Sequence, residues 1–205
     1  TIKNRYKKIK SNFLKNKIGS LKLPRFKKSE KVVDFCYNLT KKVNLNKYKN
    51  KIKLLIICTQ NPDFGGLPHN SAILHGKLKL KNDIATMDIS QGCAGYLYGL
   101  VAAQSFLKED EYCFFYTCDP YSKIIDINDL NTDILFGDAG TLSILQKKSS
   151  LDLGLAKYKF YTFGDGYEAI IKRNNILNMS GKDVMNFCER EVVQSIENFI
   201  HTNRL

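Results

Sequence analysis

The sequence predicts an α/β fold in which helices are layered on a sheet. Three apolar runs of strand length lie at 52–59, 84–89 and 112–118. Between them, apolar residues recur at helical spacing, and this alternation of strand, helix and strand is typical of a layered α/β sheet. With 205 residues, 43% of them hydrophobic, the chain can hold one large or two small domains with a substantial core.

The other elements can be assigned in order along the chain. Ser29 is placed to cap a helix that runs from Glu30 to about Val43. Glycine and proline mark a loop after the first strand, and a short helical segment follows at 71–76. The long helix after the second strand has leucine and valine on one face and small residues on the others, so we expect it to be packed on all sides. A last helix with an apolar face begins at Ser180.

Glycine-containing motifs predict two turns in the second part of the chain. Residues 136–141 predict a tight turn ahead of a further strand, with Asp138 as a structural residue of that loop. Residues 164–166 predict a hairpin turn that joins strands at 158–163 and 167–171.

A cysteine occupies the bend between the second strand and the long helix. Cys93 follows the turn-forming residues 90–92, and its neighbours are glycine and alanine, which leave room for a substrate. Unpaired N–H groups and the helix dipole at a helix start favour a thiolate over a thiol, so Cys93 is a candidate nucleophile. The alternative is a core cysteine, since cysteine is among the most buried residue types. The other five are predicted to be structural: Cys36, Cys58, Cys113, Cys118 and Cys188.

Positive charge is concentrated at the start of the chain. Residues 1–53 contain 18 Lys/Arg and 2 Asp/Glu, so they carry +16 and the remainder of the +12 chain carries −4. Such segregation suggests an anionic partner, and the alternative is a lysine-rich surface that only interacts with solvent. No recognised nucleic-acid-binding motif accompanies the lysines, so nucleic acid is not the partner we predict.

The composition also argues against several other classes of protein. No stretch approaches the length of a membrane span, and no signal-peptide pattern opens the chain. The cysteines form neither a paired CxxC zinc pattern nor the framework of a small secreted domain. We therefore expect a cytoplasmic protein with no metal site and no membrane association.

Four segments, in order along the chain, carry a family resemblance. They are the strand and loop at 55–63, the Cys93 segment at 88–100 (Asp-Ile-Ser-Gln-Gly-Cys-Ala-Gly-Tyr-Leu-Tyr-Gly-Leu), the Leu-Phe-Gly-Asp-Ala-Gly loop within 131–140, and Met-Ser-Gly-Lys-Asp-Val-Met-Asn-Phe at 179–187. Together they resemble the motifs of the beta-ketoacyl-acyl-carrier-protein synthase III family. The resemblance implies that Cys93 is the catalytic nucleophile.

The resemblance also implies a fold and a domain organisation. The family has the thiolase-type αβαβα sandwich, which is made of two similar halves and forms homodimers. Residues 1–175 would then form the N-terminal half with the nucleophile elbow, and residues 176–205 would begin the C-terminal half. A catalytic histidine and asparagine of that second half are expected beyond residue 205, and the chain is expected to be incomplete at both ends.

The chemistry implied by the resemblance has two steps. Cys93 would take an acyl group from acyl-coenzyme A, and decarboxylation of malonyl-acyl carrier protein would then generate the carbanion that forms the β-ketoacyl product in fatty acid biosynthesis. Acyl-coenzyme A is thus a substrate, and neither a permanently bound cofactor nor a metal is expected.

The family's coenzyme A contacts come from a tryptophan and an arginine ahead of a Thr-Gly-Ile turn. The matching positions are Phe13 and Lys17, ahead of residues 18–20 (Ile-Gly-Ser). Phe13 can still stack on a purine, and the alternative is that it is a core residue. Lys17 can meet a phosphate as a point charge, without the planar fork of arginine. A basic surface also suits acyl carrier protein, which is strongly acidic as a class.

Two other functions stay open at this point. A thiolase-fold acyltransferase would use Cys93 but pass the acyl group to a hydroxyl or amine acceptor, in surface-glycan or secondary metabolism. A non-catalytic binding protein with a basic arm would leave Cys93 unreactive.

Overall fold

The computed structural model describes residues 10–148 and 157–204, which contain seven α-helices, several short 3-10 and π-helical segments, and six strands. The helices are α1 (Ser11–Phe13), α2 (Val32–Thr40), α3 (Asn70–Leu78), α4 (Gly95–Phe106), α5 (Leu130–Asp133), α6 (Gly181–Phe187) and α7 (Val193–Asn203). The strands are β1 (Ile52–Cys58), β2 (Ala85–Ile89), β3 (Tyr112–Asp119), β4 (Ala139–Gln146), β5 (Ile170–Arg173) and β6 (Ile176–Met179). No helix in these two ranges is long and apolar enough to cross a membrane.

These elements divide into two compact units. The sheet unit comprises residues 24–121 with 138–148, and the hairpin unit comprises residues 10–23, 122–137 and 157–204. The predicted boundary between residues 175 and 176 concerns the two halves of a thiolase-type fold, and it stays a prediction.

A four-stranded sheet forms the centre of the sheet unit. The strand order is β2-β1-β3-β4, in which β1 runs parallel to β2 and β3 while β4 is antiparallel to β3. Helices α2 and α3 pack on one face of the sheet and α4 packs on the other. Because β1 is covered on both faces, it reads as a nearly continuous apolar run, IKLLIIC. This layered arrangement confirms the α/β fold class predicted from the sequence.

A long-range contact fixes the start of α2, and the prediction that Ser29 caps a helix from Glu30 is wrong. The helix begins at Val32, and the Asp63 carboxylate accepts the backbone N–H groups of Val32 (3.1 Å) and Val33 (2.9 Å). A carboxylate at a helix N-terminus satisfies unpaired donors and complements the helix dipole. Asp63 lies 31 residues away in the chain from Val32, so no local capping pattern reveals it.

The face of α4 that packs on the sheet is made of small residues. A Cβ built at Gly95 would lie 2.4 Å from Cys58 Sγ, and one built at Gly99 would lie 2.2 Å from Cζ of Phe115. Glycine at these positions therefore lets the helix backbone approach β1 and β3 closely. The larger apolar residues lie on other faces, and Leu97 is 53% exposed, so the prediction of packing on all sides is wrong for the described residues.

The predicted tight turn at 136–141 is wrong, because β4 already begins at Ala139. Gly140 is needed for close packing, since a Cβ there would lie 2.5 Å from a ring carbon of Phe35 and 2.9 Å from the Thr117 carbonyl oxygen. Asp138 is structural, as predicted. Its carboxylate accepts the backbone N–H of Phe26, and its own N–H donates to the Pro24 carbonyl at 3.0 Å.

In the hairpin unit, the predicted strand pair around 164–166 is wrong. Residues Gly164–Ala169 form a 3-10 helix, and the hairpin is instead made by β5 and β6. Its turn is Asn174-Asn175, both with positive φ (51° and 61°), which asparagine tolerates better than most residues. The predicted cap of the last helix is confirmed, because Ser180 Oγ accepts the backbone N–H of Asp183 at 3.4 Å.

A π-helical turn, Cys188–Val192, links α6 to α7. Cys188 was predicted to be structural, but its side chain is exposed. The apolar face predicted for this helix is likewise exposed within the described residues, with Ile196 54% exposed and Ile200 44% exposed.

We predict that Gly99→Ala destabilises the chain by about 1–3 kcal/mol, because the new methyl group must displace the fully buried Phe115 ring. Gly76→Ala is the matched control. Gly76 lies within α3 with no atom within 4 Å of a Cβ built there, so alanine should be neutral or stabilise by up to about 1 kcal/mol. Urea unfolding of the three proteins measures both changes, and equal free energies for the two variants would contradict the close packing of α4.

Candidate active site

Cys93 lies on a sharp connection between β2 and α4. Strand β2 ends at Ile89, a 3-10 turn covers Gly92–Ala94, and α4 begins at Gly95. Gly92 has a φ of +56°, a conformation that favours glycine. The Cys93 side chain is exposed. The strand-to-helix bend predicted from the sequence is therefore confirmed, although Cys93 sits two residues ahead of the helix rather than in its first turn.

The strand that leads to this elbow is anchored at its carboxyl end. The Asp88 carboxylate accepts the backbone N–H groups of Asn70 (2.7 Å) and Ser71 (2.8 Å), and so caps α3. The Ile89 carbonyl accepts the backbone N–H of Thr59 at 2.9 Å. Asn70 in turn accepts the backbone N–H of Asp63 at 3.0 Å, so the caps of α2 and α3 belong to one hydrogen-bond network.

The carboxyl ends of the parallel strands bring further polar residues to the elbow. Asp119, the last residue of β3, accepts hydrogen bonds from the backbone N–H of Gln60 (2.8 Å) and from the side chains of Thr59 (3.1 Å) and Asn61 (3.3 Å). The Tyr121 hydroxyl donates to the side-chain carbonyl of Gln60. Binding sites in α/β sheets commonly lie at this edge. Asp119, Gln60 and Tyr121 were not singled out in the sequence, because their meeting depends on the register of two strands.

Burial and neighbouring charges keep the groups around Cys93 protonated. Burial, with smaller contributions from the nearby Asp119 and Cys93, raises the pKa of the Cys58 thiol to about 11. Cys58 is therefore a neutral thiol at physiological pH, and its Sγ lies 3.8 Å from the Gly92 carbonyl oxygen, to which it donates. Burial likewise raises the pKa of Tyr121 to about 12, with Asp119 and Cys93 adding to the effect.

Asp119 is subject to opposing influences. Burial raises the pKa of its carboxyl group, while the hydrogen bonds from Gln60, Thr59 and Asn61 lower it. The net direction is upward, because the loss of solvation outweighs the donors.

The other predicted site residues lie in the hairpin unit. Phe13 is 46% exposed at the end of α1, and Lys17 is exposed in the π-helical turn Leu14–Ile18 that follows. Gly19, with a φ of 81°, ends this helical segment at the predicted turn. Their contact with coenzyme A stays a prediction.

The structure also separates the six cysteines by exposure. Cys36, Cys58, Cys113 and Cys118 are buried, as predicted, and Cys93 and Cys188 are exposed. Among residues 10–148 and 157–204, no group of three or more His, Cys, Asp or Glu side chains is arranged to hold a metal ion.

Comparison with known proteins supports this view of the elbow. The family model for 3-oxoacyl-[acyl-carrier-protein] synthase III matches residues 87–164, which include Cys93. The beta-ketoacyl-[acyl-carrier-protein] synthase III of Rickettsia rickettsii (strain Sheila Smith) is 34% identical over 166 residues, which are 76% of this chain and 51% of the relative. Synthase III 1 of Halalkalibacterium halodurans is 32% identical over 147 residues, 71% of this chain and 46% of the relative. The chain thus spans about half the length of these curated relatives.

Solved structures show the same fold. A crystal structure of a 3-oxoacyl-(acyl-carrier-protein) synthase III superposes with a TM-score of 0.86 at 22% identity, covering 98% of this chain and 68% of that protein. The 3-oxoacyl-(acyl-carrier-protein) synthase of Burkholderia xenovorans LB400 gives a TM-score of 0.80 at 23% identity, with 98% and 63% covered. The fold is therefore thiolase-like. With the sequence matches, this confirms the predicted resemblance: the chain is similar in sequence and in fold to beta-ketoacyl-acyl-carrier-protein synthase III proteins.

We predict that iodoacetamide applied to the native chain modifies Cys93 and Cys188 and spares the four buried cysteines. The protonated Cys58 thiol is the most informative of the four, because it lies close to the elbow yet should stay unlabelled. Peptide mapping by mass spectrometry after a time course measures each rate. Labelling of Cys58 as fast as that of Cys93 would contradict the burial and protonation described above.

Proposed function

We propose that this chain carries the nucleophile of a 3-oxoacyl-[acyl-carrier-protein] synthase III type acyltransferase, and that Cys93 is the residue that accepts the acyl group. The observation that supports this most strongly is the position of Cys93. It is exposed on the elbow between β2 and α4, at the carboxyl edge of the sheet, within the segment that the family model matches.

In the proposed first step, the Cys93 thiolate attacks the thioester carbonyl carbon of acyl-coenzyme A. A new bond forms between that carbon and Cys93 Sγ, the bond to the coenzyme sulfur breaks, and the proton lost by Cys93 ends on the coenzyme A thiol. The carbonyl oxygen carries negative charge in the transition state, and the backbone N–H of Cys93 would stabilise it. Acyl-coenzyme A is a substrate in this scheme rather than a bound cofactor.

In the proposed second step, the acyl group on Cys93 meets malonyl-acyl carrier protein. Loss of carbon dioxide from the malonyl group supplies a carbanion that attacks the acyl carbon held on Cys93. The bond from that carbon to Cys93 Sγ breaks, which restores the thiolate, and the β-ketoacyl product remains attached to acyl carrier protein, as a step of fatty acid biosynthesis. The relatives carry the name beta-ketoacyl-[acyl-carrier-protein] synthase III, which describes this product. We further propose that the enzyme acts as a cytoplasmic homodimer.

We predict that incubation with acetyl-coenzyme A adds one acetyl group to the wild-type chain, and that Cys93→Ala abolishes the adduct. Cys188→Ala is the matched control, because Cys188 is the other exposed thiol and its loss should leave acetylation unchanged. Intact-mass spectrometry gives the result directly. An adduct that persists in Cys93→Ala, or one lost in Cys188→Ala, would refute the assignment of the nucleophile.

We also propose that Phe13 and Lys17 contact coenzyme A. The exposure of both side chains supports this, because an exposed ring is free to stack on an adenine and an exposed ammonium is free to pair with a phosphate.

We predict that Lys17→Glu raises the acetyl-coenzyme A concentration needed for half-maximal acylation of Cys93 by about tenfold, and that Phe13→Ala raises it about fivefold. The maximal rate should not change, because neither residue takes part in the reaction. Lys15→Glu is the control, since this exposed lysine lies in the same segment and the charge change is identical. Equal effects of Lys15→Glu and Lys17→Glu would show a general charge effect instead of a specific contact.

A further inference from the structure

Gln60, just beyond the carboxyl end of β1, is held by two hydrogen bonds, one from its backbone and one to its side chain. Its backbone N–H donates to Asp119 Oδ1 at 2.8 Å, which fixes the position of its Cα. Its side-chain carbonyl accepts the hydroxyl of Tyr121, which fixes the rotation of the amide. Because burial raises the pKa of Tyr121 to about 12, its hydroxyl stays protonated and keeps donating at physiological pH. An exposed glutamine held in this way has lost most of its side-chain freedom.

The hydrogen bond from Tyr121 to Gln60 Oε1 also determines which hydrogen-bonding groups of the amide remain available to a ligand. With Oε1 engaged by Tyr121, the NH₂ group at Nε2 supplies two N–H donors, and neither has an acceptor within residues 10–148 and 157–204. The amide is a neutral donor, so it can face a developing negative charge without adding a charge of its own.

The Gln60 amide also lies directly beside the elbow. A Cβ built at Gly92 would be 2.9 Å from Gln60 Oε1 and 3.3 Å from Nε2. The amide therefore occupies the space that a side chain at residue 92 would need, next to Cys93 in the chain. Two features favour glycine at this position: its positive φ, and the Gln60 amide, which any side chain at residue 92 would have to displace.

We infer that the Gln60 side-chain amide donates a hydrogen bond to the carbonyl oxygen of the acyl group that is transferred to Cys93. The inference rests on the proposed acyl transfer and adds a residue to it. As Cys93 Sγ bonds to the thioester carbon and the bond to the coenzyme sulfur breaks, the oxygen passes through an oxyanion. An N–H at Nε2 stabilises that oxyanion without transferring its proton, alongside the backbone N–H of Cys93. One such donor typically accounts for about 100-fold in rate.

The test compares two reactions of the same thiol. Gln60→Met keeps the length of the side chain but removes both N–H donors, and Gln104→Met makes the same change at an exposed position on α4. Acetylation of Cys93 by acetyl-coenzyme A passes through an oxyanion at the carbonyl oxygen. Alkylation of Cys93 by iodoacetamide displaces iodide and forms no oxyanion. We expect Gln60→Met to slow acetylation by roughly 100-fold and to leave alkylation within about twofold of wild type. Gln104→Met should change neither rate.

A second variant distinguishes the Gln60 amide, which donates the hydrogen bond, from the Tyr121 hydroxyl, which orients that amide. Tyr121→Phe removes the hydroxyl that orients the amide, so it should slow acetylation less than Gln60→Met and again spare alkylation. An unchanged acetylation rate in Gln60→Met would overturn the inference while leaving the proposed function intact. An equal loss of acetylation and alkylation would also overturn it, because it would show that Gln60 only supports the structure. A wild-type chain that is alkylated at Cys93 but never acetylated would refute the proposed function, and the role of Gln60 with it.

Discussion

The close approach of α4 to the sheet is the constraint on which the site depends. At Gly95 and Gly99 the helix backbone comes so near to Cys58 and Phe115 that even one methyl group has no room. Gly95 is the first residue of α4, so its close packing against Cys58 also determines where the elbow ends and the helix begins. Cys93, two residues ahead of Gly95, is therefore positioned by a contact in the core, while its own side chain remains exposed.

Two carboxylates, the buried Asp63 and the half-buried Asp88, complete the frame around that contact. Asp63 and Asp88 each face a helix N-terminus, and Asn70 joins them by hydrogen bonds to both. Burying a carboxylate is costly unless its oxygens are satisfied, and here backbone N–H groups that would otherwise be unpaired satisfy them. The result ties α2 and α3 to the loop after β1 and to the end of β2. The edge of the sheet next to Cys93 is therefore supported by α4 on one face and by α2 and α3 on the other.

The sequence is sufficient to predict the features that depend on local pattern. The strands β1 and β3 are nearly continuous apolar runs because both faces of the sheet are covered. The Cys93 elbow follows from a strand pattern, a turn and a helix pattern in succession. Features that depend on distant residues could not be predicted. Asp63 replaces Ser29 as a cap, and Gly140 serves close packing against Phe35 rather than a turn. The hairpin at Asn174-Asn175 carried a local signal in its two adjacent asparagines, which the glycines at 164–166 obscured.

The site shows the same division between local and distant information. The proposed nucleophile, Cys93, can be picked out from the sequence, but Gln60, Asp119 and Tyr121 come together only through the register of β1 and β3. The most direct test of the account is a crystal structure of the chain after incubation with acetyl-coenzyme A. The account predicts density for a thioester on Cys93 Sγ, with its carbonyl oxygen within hydrogen-bond distance of Gln60 Nε2. An unmodified Cys93, or an acetyl group on any other residue, would contradict it.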